Sequence, residues 1–133
     1  MGDGQRTGAL RALALVSGVY DVVIAVAMLL FARALAAFMG APPPVPLLNA
    51  QLNGIFALTL GVGYFWAARD VGARRGYLWT AGVLAKGLGA ALFVADHFLQ
   101  GSPRSFLLFA VSDGTLAVLT LVLLLRAERP AAG

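Results

Sequence analysis

The sequence has no cysteine. That excludes disulfides, thiolate metal sites and thiol redox chemistry, and leaves the redox compartment open. It has one histidine, His97, so there is no second histidine with which to build a metal site. Charge is scarce as well: 12% of residues are charged against 60% hydrophobic, and the mean hydropathy is +0.85. A soluble domain of 133 residues needs far more charge to cover its surface. The composition therefore describes one integral membrane domain over residues 1–133, with the lipid bilayer as its first partner. Aromatic and basic residues are not interleaved in the manner of an RNA-binding surface, so nucleic acid is not an expected partner. The net charge of +4 has a topological explanation instead.

Four apolar runs are present, at roughly 12–32, 47–67, 77–95 and 105–125. Each approaches the ~20 residues that cross ~30 Å of hydrocarbon. Backbone groups in lipid must be paired within the segment, so each run is read as a helix. The connections agree. MGAPPPVP, Met39–Pro46, holds four prolines that remove donors and fix φ. ARDVGARRG, Ala68–Gly76, is a short charged turn, and DHFLQGSPR, Asp96–Arg104, contains Gly101 and Pro103. Short connections make sequential helices antiparallel neighbours, so the expected fold class is all-α, a polytopic transmembrane four-helix up-down-up-down bundle.

The arginines orient it. Arg6, Arg11, Arg69, Arg74, Arg75, Arg126 and Arg129 fall on the side of the two termini, and Arg33 and Arg104 on the other. By the positive-inside rule both termini are expected in the cytoplasm, in a plasma (inner) membrane, with Trp66, Tyr77 and Trp79 near the cytoplasmic headgroups. A cleaved signal peptide fits the first run less well, because the run is too long and contains Asp21.

Each run carries one principal polar residue within it: Asp21 beside Tyr20, Asn53, Lys86, and Asp113 beside Ser112. Lys86 stands in the middle of VLAKGLGAAL. Asp21 and Lys86 lie about ten residues into their helices and Asp113 about nine, which at ~1.5 Å per residue brings all three close to the midplane. Asn53 is a turn nearer the outside. A lone charge at that depth costs at least ~2.5–3.5 kcal/mol. Mutual pairing lowers the cost, so Lys86 is expected to face the interior and neutralise Asp21, Asp113 or both. Two carboxylates then meet one ammonium, and the expected relief is a proton on one aspartate. Tyr20, Ser112 and Asn53 could add hydrogen bonds. Small residues at four-residue spacing, such as Ala57 and Gly61 or Ala110 and Gly114, suit close helix contact.

These polar residues admit two readings. One is a structural clasp that fixes helix rotation. The other is a binding or proton-relay site comprising Asp21, Lys86, Asp113, Asn53 and Tyr20. So short a chain is expected to leave little room for an internal channel, which tips the balance toward the clasp. His97, next to Asp96, reads as an interfacial histidine, and no metal, cofactor or catalytic residue is assigned. GVGYFW, Gly61–Trp66, lies in an apolar span with no strand before it, so it is not a phosphate loop.

LRALALVSGVYDVV near the start and NGIFALTLGVGYFWAARD in the second run resemble the DoxX-like small four-helix membrane proteins. The resemblance covers about the first half of the chain. It implies a four-helix bundle, sometimes associated with membrane oxidoreductases and quinones. No cysteine or metal cluster here supports redox chemistry, so no catalytic residue is carried over. The expected function is a non-enzymatic accessory or structural membrane subunit, working in a homo-oligomer or larger membrane complex. The alternative is an oligomeric proton-coupled transporter or channel for a small solute. A water-filled vestibule at the cluster would favour the alternative, and a dry packed cluster the clasp.

Overall fold

The computed structural model describes residues 2–128. Among them the chain is helical with no strand. Its elements are α1 (Asp3–Leu30), α2 (Ala32–Phe38), α3 (Leu47–Arg69), α4 (Arg75–Gln100) and α5 (Leu107–Glu128), the last entered through a single 3-10 turn at Arg104–Phe106. Among the described residues, three helices are long and apolar enough to cross a membrane: Gly4–Leu30, Arg75–Gln100 and Arg104–Ala127. The helix α3 has 23 residues, but Asn49, Gln51 and Asn53 in its first two turns dilute its hydropathy.

The helices do not follow the apolar runs to the residue: α1 starts well before its run, α4 exceeds its run at both ends, and α3 and α5 continue past the ends of theirs. A helix continues while its backbone bonds are made and its residues tolerate αR, whatever their polarity, so α1 starts at Asp3 among polar residues. The run expected to end near residue 32 stops at Phe31, which leaves helical geometry at φ −130°. The chain then re-enters α2, a short helix the sequence reading did not anticipate. Gly40 closes α2 at φ 68°, with the Ala41 amide donating to the Ala36 carbonyl in a Schellman arrangement. Gly101 closes α4 in the same left-handed region. The first half of α4, Leu78–Ala85, is wound as a π-helix and returns to α-helix at Lys86.

The helix α1 packs along both α3 and α5, and α4 packs on α5. The contact of α1 with α3 is backbone-close. A Cβ built on Gly61 would lie 2.8 Å from a Val22 methyl and 3.1 Å from the Gly18 carbonyl, so only glycine permits this approach. By contrast α3 meets α4 over its first part, Arg75–Ala85, and has no comparable packing on the 86–100 half. The two therefore part company beyond Lys86.

The packed core follows from this. Leu10, Ala14, Tyr64, Leu78, Ala81 and Leu124 form its centre at the end of the molecule that holds the start of α1 and the end of α5. There the Arg6 guanidinium donates to the Arg126 carbonyl at 2.8 Å, and Tyr77 donates to the Leu60 carbonyl. Large apolar side chains such as Phe98, Leu92 and Val111 stand on the outer surface. Water would penalise that surface, whereas hydrocarbon does not.

Candidate functional site

The polar cluster sits where the packed core ends. Lys86 is carried to the interior by the first α-helical turn after the π segment. Its ammonium donates to Asp21 Oδ1 at 2.7 Å and to Asp113 Oδ1 at 3.0 Å. Both Lys86 and Asp21 are 6% exposed, which places this pair among the most enclosed groups of the chain. The Lys86 ammonium also lies 4.8 Å from the centre of the Tyr20 ring and 5.7 Å from that of Tyr64. Both distances are within the ~6 Å over which a ring face attracts a cation. The ammonium is thus held by two carboxylates and two aromatic faces.

The depth match therefore brings Asp21, Lys86 and Asp113 together, and Tyr20 with them. Tyr20 does so by its ring, since its hydroxyl pairs with the Ser112 hydroxyl at 2.7 Å and not with a carboxylate. Asn53 does not join. It is exposed and its side chain has no hydrogen-bond partner among the described residues. Its helix has no comparable packing on the 86–100 half of α4, and Asn53 lines the cavity beside the ion pairs without bonding to them.

Tyr64 was not anticipated. It is 1% exposed, meets Tyr77 edge-on at 5.3 Å between centroids, and its hydroxyl has no partner among the described residues. The available signal was spacing. Ala57, Gly61, Tyr64 and Ala68 recur at helical intervals and so share one face.

Above the cluster, away from the core, lies a cavity of about 670 Å³. The short chain, expected to leave little room for an internal channel, thus does leave a recess beside the cluster. The reason is the divergence of α3 from the second half of α4, which leaves their outer halves unpacked on one another. Asp21, Lys86, Asp113, Tyr20 and Asn53 all contribute to its wall. The rest is apolar: Ile24 and Met28 of α1, Leu35 of α2, and an aromatic group in which Phe93 stacks on Phe109 at 5.3 Å and meets Phe106 at 6.2 Å. The segment after α2 adds Pro42 and Pro44 to the lining.

Two carboxylate oxygens remain uncommitted. Asp21 Oδ2 is buried without a hydrogen-bond partner. Asp113 Oδ2 makes no hydrogen bond among the described residues and lies 4.0 Å from where a Cβ on Gly89 would stand. Gly89 itself lines the cavity. Buried polar atoms are rarely left unpaired, and the exceptions call for a reason.

His97 donates from Nδ1 to the Ser102 carbonyl at 2.7 Å, which ties the end of α4 to its following turn. No group of three or more metal-ligating side chains occurs among the described residues. No protein family, curated protein or solved structure matches this chain.

Proposed function

We propose that this is a small integral membrane protein of four spans whose Asp21–Lys86–Asp113 cluster is the floor of a small-molecule site. In this reading α1, α3, α4 and α5 cross the bilayer up-down-up-down with both termini in the cytoplasm, and the DoxX-like resemblance supplies the same four-helix expectation. The observation that carries the site is the cavity of about 670 Å³ whose wall includes all three charged residues. A purely structural clasp needs the ion pairs but no space beside them. Intramembrane charges that face a cavity are the usual mark of a solute or proton path. The clasp is part of the same device: the shorter Lys86–Asp21 pair holds α4 to α1, and the less enclosed Asp113 presents its second oxygen to the cavity.

Thiol labelling tests this directly, because the chain has no cysteine of its own. Ala57→Cys and Gly89→Cys place a thiol on the cavity wall, and Leu92→Cys places one on the outer surface. The thiolate is the reacting form, so a charged, water-soluble thiol reagent reports hydration. The two cavity positions are expected to react at least ~10-fold faster than Leu92→Cys. Equal, slow reaction at all three would leave a dry clasp and return the protein to a structural role.

A further inference from the structure

We propose that the cavity takes a single-tailed amphiphile bearing one positive charge, which enters from the bilayer between α3 and the second half of α4 and sets its head against Asp113. This rests on the small-molecule reading above and names the ligand class.

The charge comes first. Three charged side chains line the cavity, two carboxylates and one ammonium, and neither Arg33 nor Arg104 is among the lining residues. A proton on one aspartate neutralises the empty cluster, and a bound cation takes the place of that proton, so that both carboxylates are then ionised and the wall carries one surplus negative charge toward it. The ammonium of Lys86 is already committed to Asp21 and Asp113 and is almost fully enclosed. An incoming anion would meet the free Oδ2 of Asp113 before it met Lys86. An incoming cation meets that oxygen with no competitor, and Asp21 Oδ2, on a side chain 9% exposed, is a second acceptor without a partner. Asn53, exposed, also lines the cavity, and its amide oxygen can accept from an ammonium.

The shape comes second. A bare metal ion would find no ligand set here. Only one end of the cavity is polar. The remainder is lined by Met28, Leu35, Phe93, Phe106 and Phe109, which suit a hydrocarbon body. The way in follows from packing. The helix α3 leaves α4 beyond Ala85, and Phe56, 66% exposed, stands on α3 at the edge of this gap while lining the cavity. A lipid-soluble molecule can reach the cluster by that gap with its tail last.

The test uses photoactivatable alkyl probes of one chain length, each with a diazirine in the tail and ending in an ammonium, a hydroxyl or a carboxylate. They are added at equal concentration to the intact protein in phosphatidylcholine nanodiscs, and crosslinked peptides are mapped by mass spectrometry. The ammonium probe is expected to label the cavity walls of α3 and α4 at least ~10-fold more than the carboxylate probe, a ratio set by attraction to one sign of charge. Asp113→Asn should erase that preference. Gly89→Val, which crowds Asp113 Oδ2 from the cavity side and leaves its charge in place, should lower the ammonium preference even if Asp113→Asn fails to fold. Carboxylate labelling equal to or above ammonium would overturn the proposal, as would equal labelling by the hydroxyl probe. Labelling spread evenly over the cavity and the Leu92 face would mean surface partition only and would overturn it too. If the cysteine positions in the cavity react but no probe labels it, the small-molecule site stands and the cationic amphiphile falls.

Discussion

Lys86 joins three helices through one ammonium, because Asp21 lies on α1, Asp113 on α5 and Lys86 itself on α4. Its removal strands a buried carboxylate, and breaking a buried pair in this way costs about 3–5 kcal/mol. Lys86→Met is therefore expected to lower unfolding stability in detergent by that amount. Adding Asp21→Asn removes the stranded charge, so the double variant should be more stable than the sum of the two single losses predicts. Strict additivity in a denaturant titration would mean the two groups are not coupled. The two carboxylates should also differ. Asp21 is closer to the ammonium and its side chain is 9% exposed against 17% for Asp113. Asp21→Asn should therefore destabilise more than Asp113→Asn, and the reverse order would contradict the assignment of Asp21 to the clasp and Asp113 to the cavity.

At the level of the element, the contrast lies between helix pairs that glycine draws together and a pair that diverges. On α3, Gly61 faces the Gly18 carbonyl and Val22 of α1, and backbone cannot yield as a flexible side chain can. Gly61→Val should separate α1 from α3 and cost about 1–3 kcal/mol by overpacking. Gly89→Ala, whose new methyl would meet only Asp113 Oδ2 at 4.0 Å, should be close to neutral in the same melt. A neutral Gly61→Val would mean that α1 and α3 do not approach as closely as described. The sequence made some of this legible. Apolar runs marked the long helices, and equal depth marked Asp21, Lys86 and Asp113, because a buried charge must find an opposite one. Other features left no mark. The break at Phe31 has no proline or glycine beside it, and the apolar residues of Leu78–Ala85 suit an α-helix as well as the π winding they adopt. Asn53 lies a turn nearer the outside than the cluster, and whether it could reach the ion pairs depends on how α3 packs against α4. The cavity depends on the same packing, which is not a property of any one segment.

For the whole molecule the number of crossings follows from its charge distribution and from how α3 is held. The described arginines divide unevenly, with Arg6, Arg11, Arg69, Arg74, Arg75 and Arg126 toward the packed end and Arg33 and Arg104 toward the other, while Arg129 lies outside the described residues. Arg74 donates to the Trp66 carbonyl and lies 4.2 Å from its ring centre, an arrangement suited to the headgroup layer. These features favour a cytoplasmic packed end. The weak point is α3, since α1, α4 and α5 have the composition of spans and α3 carries three amides in its first two turns. Yet those amides sit at the cavity end, Asn53 lines the cavity, and α3 is bound to α1 along its length by glycine contacts. A helix so attached to a membrane-crossing partner is expected to cross with it. The count is decided by parity. Four crossings put both termini on one side, and three put them on opposite sides. A fluorescent reporter, active only in the cytoplasm, and a phosphatase, active only outside it, can be fused at each terminus and inserted in the turn after Arg69. With four crossings both termini and the turn should report cytoplasm. A phosphatase-active C-terminus with a cytoplasmic N-terminus would mean that α3 does not cross, and the cavity wall it forms would then lie at the membrane surface.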